Sequence, residues 1–193
     1  EFYAGSVGGG VWKTRNAGRT WQPVFDGQPV SSVGALAVAP TSADIIYVGT
    51  GESTLRDSVS YGDGVYKSTD GAKTWTHLGL DDTQHIGRVA IDPKNPDIVF
   101  VAAIGHFYGP SPERGVFRTK DGGKTWQKVL FRNNDVGAVD VAFDPANAQI
   151  VYAVLWAARR PTWPVGWIRT ISAPVCCWLR LRETRARSCR AHG

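Results

Sequence analysis

Methionine is absent from all 193 residues, and residues 1–156 contain no cysteine. That stretch can therefore hold neither a disulfide framework nor a cysteine-bound zinc, and it says nothing about redox compartment. The three cysteines, Cys176, Cys177 and Cys189, all fall after residue 156, and the adjacent pair lacks any zinc-ligand spacing. No apolar run approaches the roughly 20 residues of a membrane-spanning helix, so no membrane span is expected. The glycine clusters Gly8-Gly9-Gly10 and Gly49-Thr50-Gly51 lead into no helical pattern, which excludes a phosphate loop. A basic, apolar leader is missing at the start, so the chain reads as an internal piece of a longer protein. Neither a cofactor nor a metal is expected.

What the chain does contain is one phrase written three times: Thr14-Arg-Asn-Ala-Gly-Arg-Thr-Trp21, Ser68-Thr-Asp-Gly-Ala-Lys-Thr-Trp75 and Thr119-Lys-Asp-Gly-Gly-Lys-Thr-Trp126. The tryptophans are 54 and 51 residues apart, a period that marks repeat architectures. Between the phrases, apolar-alternating runs joined at Pro-bearing turns recur: Val33–Pro40 with Asp44–Gly49, Ile86–Pro93 with Asp97–Val101, and Val136–Pro145 with Gln149–Val154. Gly10-Val-Trp-Lys, Gly64-Val-Tyr-Lys and Gly115-Val-Phe-Arg precede the phrases as a third strand, and each Trp leads into a fourth. Four short antiparallel strands, A to D, in about 50 residues are the arithmetic of a propeller blade. The fold expected is all-β, a β-propeller fragment of about three four-stranded blades with the phrase at each C–D hairpin. The units read as a partial blade over 1–30, blades over 31–80 and 84–131, and a half blade over 135–156.

The phrase reads as structural. Asp70 and Asp121 can accept backbone N–H groups of the turn, Ser68 and Thr119 add a hydroxyl, and Trp21, Trp75 and Trp126 supply apolar plugs, each with one N–H to satisfy. Asn16 replaces the acid in the first copy. Ala72 stands where the second should have Gly, and an Ala at positive φ costs on the order of 1 kcal/mol, so a turn shifted onto Gly71 is expected.

The phrase resembles the Asp-box, or bacterial neuraminidase repeat, Ser/Thr-x-Asp-x-Gly-x-Thr-Trp. Within that group Val48-Gly-Thr-Gly-Glu52, Tyr61-Gly-Asp-Gly-Val-Tyr-Lys67 and Asp92-Pro-Lys-Asn-Pro-Asp97 resemble bacterial sortilin-like proteins, often labelled glycosyl-hydrolase repeat proteins. More distantly the chain is similar to the propellers of xyloglucan-cleaving glycosidases and sialidases. The resemblance implies a secreted protein, extracellular or periplasmic, with a polysaccharide, glycan or peptide ligand and the remaining blades of its parent as partners. It spans enzymes and binders alike, so fold does not decide function.

In propellers of this kind the A–B and C–D turns share one face, which leaves the long B–C loops on the other as the functional side. Those loops carry Glu52, Arg56, Asp57, Tyr61 and Asp63, then His106, Tyr108, Glu113 and Arg114, then Trp156. Aromatic rings beside charged groups suit a glycan- or peptide-binding surface, and Glu52, Arg56, Tyr61, His106, Tyr108, Arg114 and Trp156 are the candidate ligand contacts. A glycosidase needs two carboxylates about 5 to 10 Å apart. Glu52, Asp57, Asp63 and Glu113 are candidates, with no spacing that singles out a pair. His85 reads as a loop-packing histidine.

After residue 156 the repeat stops and the charge changes. Residues 1–156 carry 14 Lys and Arg against 16 Asp and Glu, whereas 157–193 carry eight Arg and one acid, Glu183, net +7. An Arg-, Cys- and Trp-rich sequence where a fourth phrase was due reads as an aberrant, out-of-frame or disordered tail. The alternative is a true basic tail that touches nucleic acid or an anionic membrane; a nucleic-acid role is not expected of the body.

Overall fold

The computed structural model describes residues 1–54 and 58–158, together with the backbone of the strands at 175–180 and 188–190. Four antiparallel sheets follow one another in chain order. The first has three strands, β1 (Phe2–Ser6), β2 (Gly10–Thr14) and β3 (Gln22–Pro23). The second comprises β4 (Val33–Ala39), β5 (Ser42–Thr50), β6 (Val65–Ser68) and β7 (Thr76–His77); the third β8 (Ile86–Ile91), β9 (Val99–Ala103), β10 (Gly115–Thr119) and β11 (Gln127–Leu130). The fourth holds β12 (Gly137–Phe143), β13 (Ile150–Trp156), β14 (Val175–Arg180) and β15 (Ser188–Arg190). Each strand pairs with the next in sequence, so the chain is all-β and each sheet is an up-and-down meander. A single 3-10 turn, Asp81–Thr83, interrupts the strands among the described residues.

The fourth sheet departs from the half blade read in the sequence. Val175–Arg180 pairs along β13, from Ile150 with Arg180 to Leu155 with Val175, and Ser188–Arg190 pairs with β14 in turn. An apolar and aromatic run of β-favouring residues meets the open edge of β13, and backbone pairing needs no repeat phrase. The rest of 157–193 beyond Ala158 lies outside the described residues.

Apolar layers fill the gaps between successive sheets. Val11 and Phe25 of the first unit pack with Ile46, Val48 and Tyr66 of the second. Tyr47 and Val65 meet Val99, Val101 and Phe117, and Phe100 and Val116 meet Val151, Ala153 and Leu155. Alternation along each central strand thus sends one face to the preceding sheet and one to the following. The inner strands β4, β8 and β12 approach most closely. Each carries a bulge near its start, between Val33 and Ala35, Ile86 and Arg88, and Ala138 and Asp140. A Cβ on Gly34 would lie 2.2 Å from the Gly51 carbonyl oxygen and 2.3 Å from that of Ile86, so only glycine lets these backbones meet.

The three repeated phrases form one turn. The Ser68 hydroxyl accepts the Ala72 N–H at 2.9 Å, and Asp70 Oδ1 accepts the N–H groups of Lys73 and Thr74 at 3.0 and 2.9 Å. Thr119 and Asp121 repeat this with Gly123 and Thr125, and Thr14 and Asn16 with Gly18 and Thr20. The expectation of a turn shifted onto Gly71 is overturned. Gly71 and Ala72 both adopt positive φ, 70° and 67°, and Ala17 does so at 58°. The side-chain hydrogen bonds of the turn fix both residues in the left-handed region, so Ala72 bears the strain. The Trp75 indole N–H donates to the Val24 carbonyl at 2.7 Å and that of Trp126 to Leu78 at 2.8 Å, both in the preceding unit. In the second and third sheets the phrase therefore fastens the sheet to its predecessor as well as turning the chain, whereas Trp21 of the first sheet, expected as a plug, is exposed.

Candidate functional site

The repeated turns and the A–B turns occupy one end of the sheets: Gly71 N–H donates to the Asp44 carbonyl and Gly122 N–H to that of Asp97. The loops between β5 and β6 and between β9 and β10, and the end of β13, lie at the opposite end. Carboxylates at the turn end are occupied. Hydrogen bonds from the Thr74 hydroxyl and N–H hold Asp70 well below the usual carboxylate range, and Thr125 does the same for Asp121. Both stay ionised at neutral pH, so neither can serve there as a general acid.

At the loop end, the structure separates the candidates into buried girders and accessible rings. Glu52 is buried; its N–H donates to the Ser60 carbonyl and its Oε2 accepts the Ser60 N–H at 3.3 Å. Arg114 is buried completely, and its guanidinium donates to the carbonyls of Ile104, His106 and Gly109. Planar Arg satisfies several loop carbonyls at once, so this side chain is the internal brace of the second long loop. Asp63 accepts the Tyr66 hydroxyl at 2.6 Å and the Thr50 hydroxyl at 3.2 Å, and Glu113 pairs with Lys128 at 3.4 Å. Three of the four candidate acids thus have structural partners; Asp57, with Arg56, lies outside the described residues.

The rings form a row across neighbouring blades. Tyr61, exposed on the first long loop, lies against His85 with ring centroids 5.5 Å apart, and His85 lies 4.4 Å from Phe107 of the next loop. Phe107 belongs to a cluster with Ile104 and Ala158, against which Tyr108 and Trp156 pack half-buried. His106 and Tyr108 meet edge to face at 6.4 Å. Tyr61, through His85, and the half-buried Tyr108 and Trp156 thus pack around one buried apolar cluster, with His106 against Tyr108.

His85 is the hub of this row. Its Nδ1 lies 2.9 Å from the Glu52 carbonyl, which can only accept, so the proton sits on Nδ1 and Nε2 is the bare acceptor. Nε2 is buried without a hydrogen-bond partner among the described residues. Burial holds the ring neutral, its pKa lowered to about 4. The His85 carbonyl accepts the Ile104 N–H and that of Gln84 the Gly62 N–H, so this short connection ties both long loops together. Nothing in the sequence pairs Tyr61, His85 and Phe107, because the contact crosses blades. The inter-blade lysines did leave a signal. Lys13 donates to the Gly71 carbonyl at 2.8 Å and Lys67 to that of Gly122 at 3.4 Å, and the Gly-Val-x-Lys recurrence could have found them.

With this geometry in view, comparison with known proteins gives a family. Residues 9–159 match Sortilin-Vps10, described as sortilin, neurotensin receptor 3. The chain belongs to the Sortilin-Vps10 family. It is also 28% identical over 159 residues to a xyloglucanase of Paenibacillus sp, covering 76% of this chain and 14% of that protein. An oligoxyloglucan-reducing end-specific xyloglucanase of Emericella nidulans is 26% identical over 154 residues, 64% of this chain and 19% of the relative. The chain therefore spans under a fifth of each of these curated relatives. Among solved structures, an ancestral GH74 enzyme superposes with a TM-score of 0.56 at 20% identity, covering 96% of this chain and 29% of the other. YCF48 bound to D1 peptide superposes at 0.58 and 14% identity, covering 95% and 49%. These likenesses establish the propeller fold of this Sortilin-Vps10 member. No helix among the described residues is long and apolar enough to cross a membrane.

Proposed function

We propose that this Sortilin-Vps10 chain is a propeller segment whose long-loop face binds an extended glycan without cleaving it. One observation carries the reading: Tyr61, His106, Tyr108 and Trp156 gather around one buried apolar cluster between neighbouring loops, while Glu52, Asp63 and Glu113 are engaged by structural partners. Aromatic faces stack on the apolar faces of sugar rings, whereas hydrolysis requires a free acid and a second carboxylate across the scissile bond. The kinship with two xyloglucanases supports a glycan over other polymers. A polymer of that class is met outside the cell, so the reading includes an extracellular or periplasmic protein.

A second reading, a segment of a xyloglucanase- or sialidase-like glycoside hydrolase completed by further blades, is supported by the same kinship. Binding and turnover of xyloglucan, a sialoside and a general glycan panel separate the two. Binding without reducing-end release, weakened about tenfold by Trp156→Ala, on the order of 1.4 kcal/mol, supports the binding face. Turnover by the longest available protein, abolished by Glu52→Gln or Asp57→Asn, would instead make it an enzyme. Binding of peptides alone, insensitive to Trp156→Ala, would overturn the glycan reading.

A further inference from the structure

Aspartate followed by glycine occurs four times in this chain, at Asp26, Asp63, Asp70 and Asp121. The dipeptide is prone to one reaction, attack of the glycine nitrogen on the preceding side-chain carboxyl, because glycine has no Cβ to obstruct the approach. The fold holds three of the four away from it.

Asp70 Oδ2 accepts the Thr74 hydroxyl at 2.7 Å and Asp121 Oδ2 that of Thr125 at 2.6 Å, bonds that keep both carboxyls ionised and so without an OH to lose. The attacking nitrogens are engaged as well. Gly71 N–H donates to the Asp44 carbonyl at 3.1 Å and Gly122 N–H to that of Asp97 at 3.0 Å. Asp63 is held by the hydroxyls of Tyr66 and Thr50, two residues that are themselves buried.

Asp26–Gly27 is different. The pair forms the middle of a turn closed by the Gln28 N–H on the Phe25 carbonyl at 3.0 Å, and both residues are exposed. Neither the Asp26 carboxyl nor the Gly27 N–H has a hydrogen-bond partner among the described residues. The exposure belongs to the position in the repeat. Val24 N–H donates to the Val11 carbonyl as Leu78 N–H does to that of Val65, so the residues after Val24 match those after Leu78. There Asp81 and Asp82 are exposed although a sheet packs on either side of theirs.

We infer that Asp26 is a modification site, at which this chain forms isoaspartate. The Gly27 nitrogen attacks Cγ of the protonated Asp26 carboxyl, the N–H proton and the carboxyl OH leave together as water, and a cyclic succinimide closes. Water then adds to either carbonyl of the ring and breaks its bond to nitrogen, which returns aspartate or yields isoaspartate, with nothing oxidised or reduced. The isomer routes the backbone through the former side chain directly after Phe25, whose ring meets those of Tyr66 and Trp75 edge to face at 5.2 and 5.1 Å. The change therefore falls on the link between the first two sheets.

Prolonged incubation of the full chain at neutral pH tests this, read by peptide mapping and by methyl transfer from S-adenosylmethionine with an isoaspartate-directed carboxyl methyltransferase. Isoaspartate should accumulate at Asp26 severalfold faster than at Asp63, Asp70 or Asp121, and the four rates should converge in urea, where the turns are lost. Gly27→Ala should slow the reaction severalfold without disturbing the fold, since a Cβ on Gly27 would meet nothing within 4 Å. Asp26→Glu, whose longer side chain closes the ring far more slowly, should abolish it, and circular dichroism checks that both variants stay folded. Isoaspartate spread evenly over the four sites of the folded chain overturns the inference, and so does a folded chain in which Asp26 stays unmodified.

Discussion

Acidification below about pH 6.5 should weaken this fold, and His85 is the reason. In the unfolded chain its imidazole takes a proton near pH 6.5, whereas burial between Tyr61 and Phe107 lowers that value to about 4. Above pH 6.5 both states are neutral there and His85 contributes no pH dependence. Between 6.5 and 4 the unfolded chain binds the proton and the folded chain does not, so stability falls as pH falls. Below about 4 the loss is complete, and the gap between the two values converts to about 3 kcal/mol. That is a large share of the roughly 5 to 15 kcal/mol that holds a typical domain together. Glu52 opposes the loss, while His106 and Arg114 deepen it. Urea melts of the wild type and of His85→Gln at intervals from pH 7 to 4 measure the effect. Gln keeps an N–H for the Glu52 carbonyl but cannot ionise, so the variant should start less stable and lose about 3 kcal/mol less across that window. Parallel stability curves for the two proteins, or a His85 ring that titrates above pH 6 by NMR, would refute the reasoning.

Further tests address the repeat itself. Ala17→Gly should stabilise by about 0.5 kcal/mol in urea melts, since relief of an exposed residue at φ 58° exceeds the added freedom of the unfolded chain. Ala72→Gly should gain nothing, because its buried methyl, worth about 0.8 kcal/mol, packs in the layer with Phe25 and Trp75. Trp126→Phe should cost about 1 to 2 kcal/mol by removing the N–H that bonds Leu78 and part of the plug between sheets. Gly34→Ala sets its Cβ against two carbonyl oxygens and should cost about 3 kcal/mol, visible as a lower thermal midpoint.

Much of the architecture was legible because a 50-residue repeat states the same physics three times. Strand alternation, Pro-bearing turns and the Asp and Thr ligands of the hairpin are local rules, and β4, β5, β8, β9, β12 and β13 fall where the apolar runs placed them. The strain at Ala72 was misjudged because a turn held by side-chain hydrogen bonds can force an alanine where its own preference would not take it. The strands β14 and β15 went unread because pairing onto an open edge requires only backbone, and leaves no motif.

The face opposite the turns shows the division most clearly. Sequence alone placed Glu52, Tyr61, His106, Tyr108 and Arg114 on the long loops between the second and third strands of their sheets, since strand order and repeat length dictate where each loop emerges, whereas Trp156, expected on the next such loop, is the last residue of β13. Tertiary structure decided which of them look outward. Arg114 and Glu52 turn inward because long loops have carbonyls and N–H groups that water cannot reach, and a buried guanidinium or carboxylate is what satisfies them. Tyr61, His85 and Phe107 become one row only when separate blades are set side by side, a contact between residues up to 46 positions apart that no local pattern encodes.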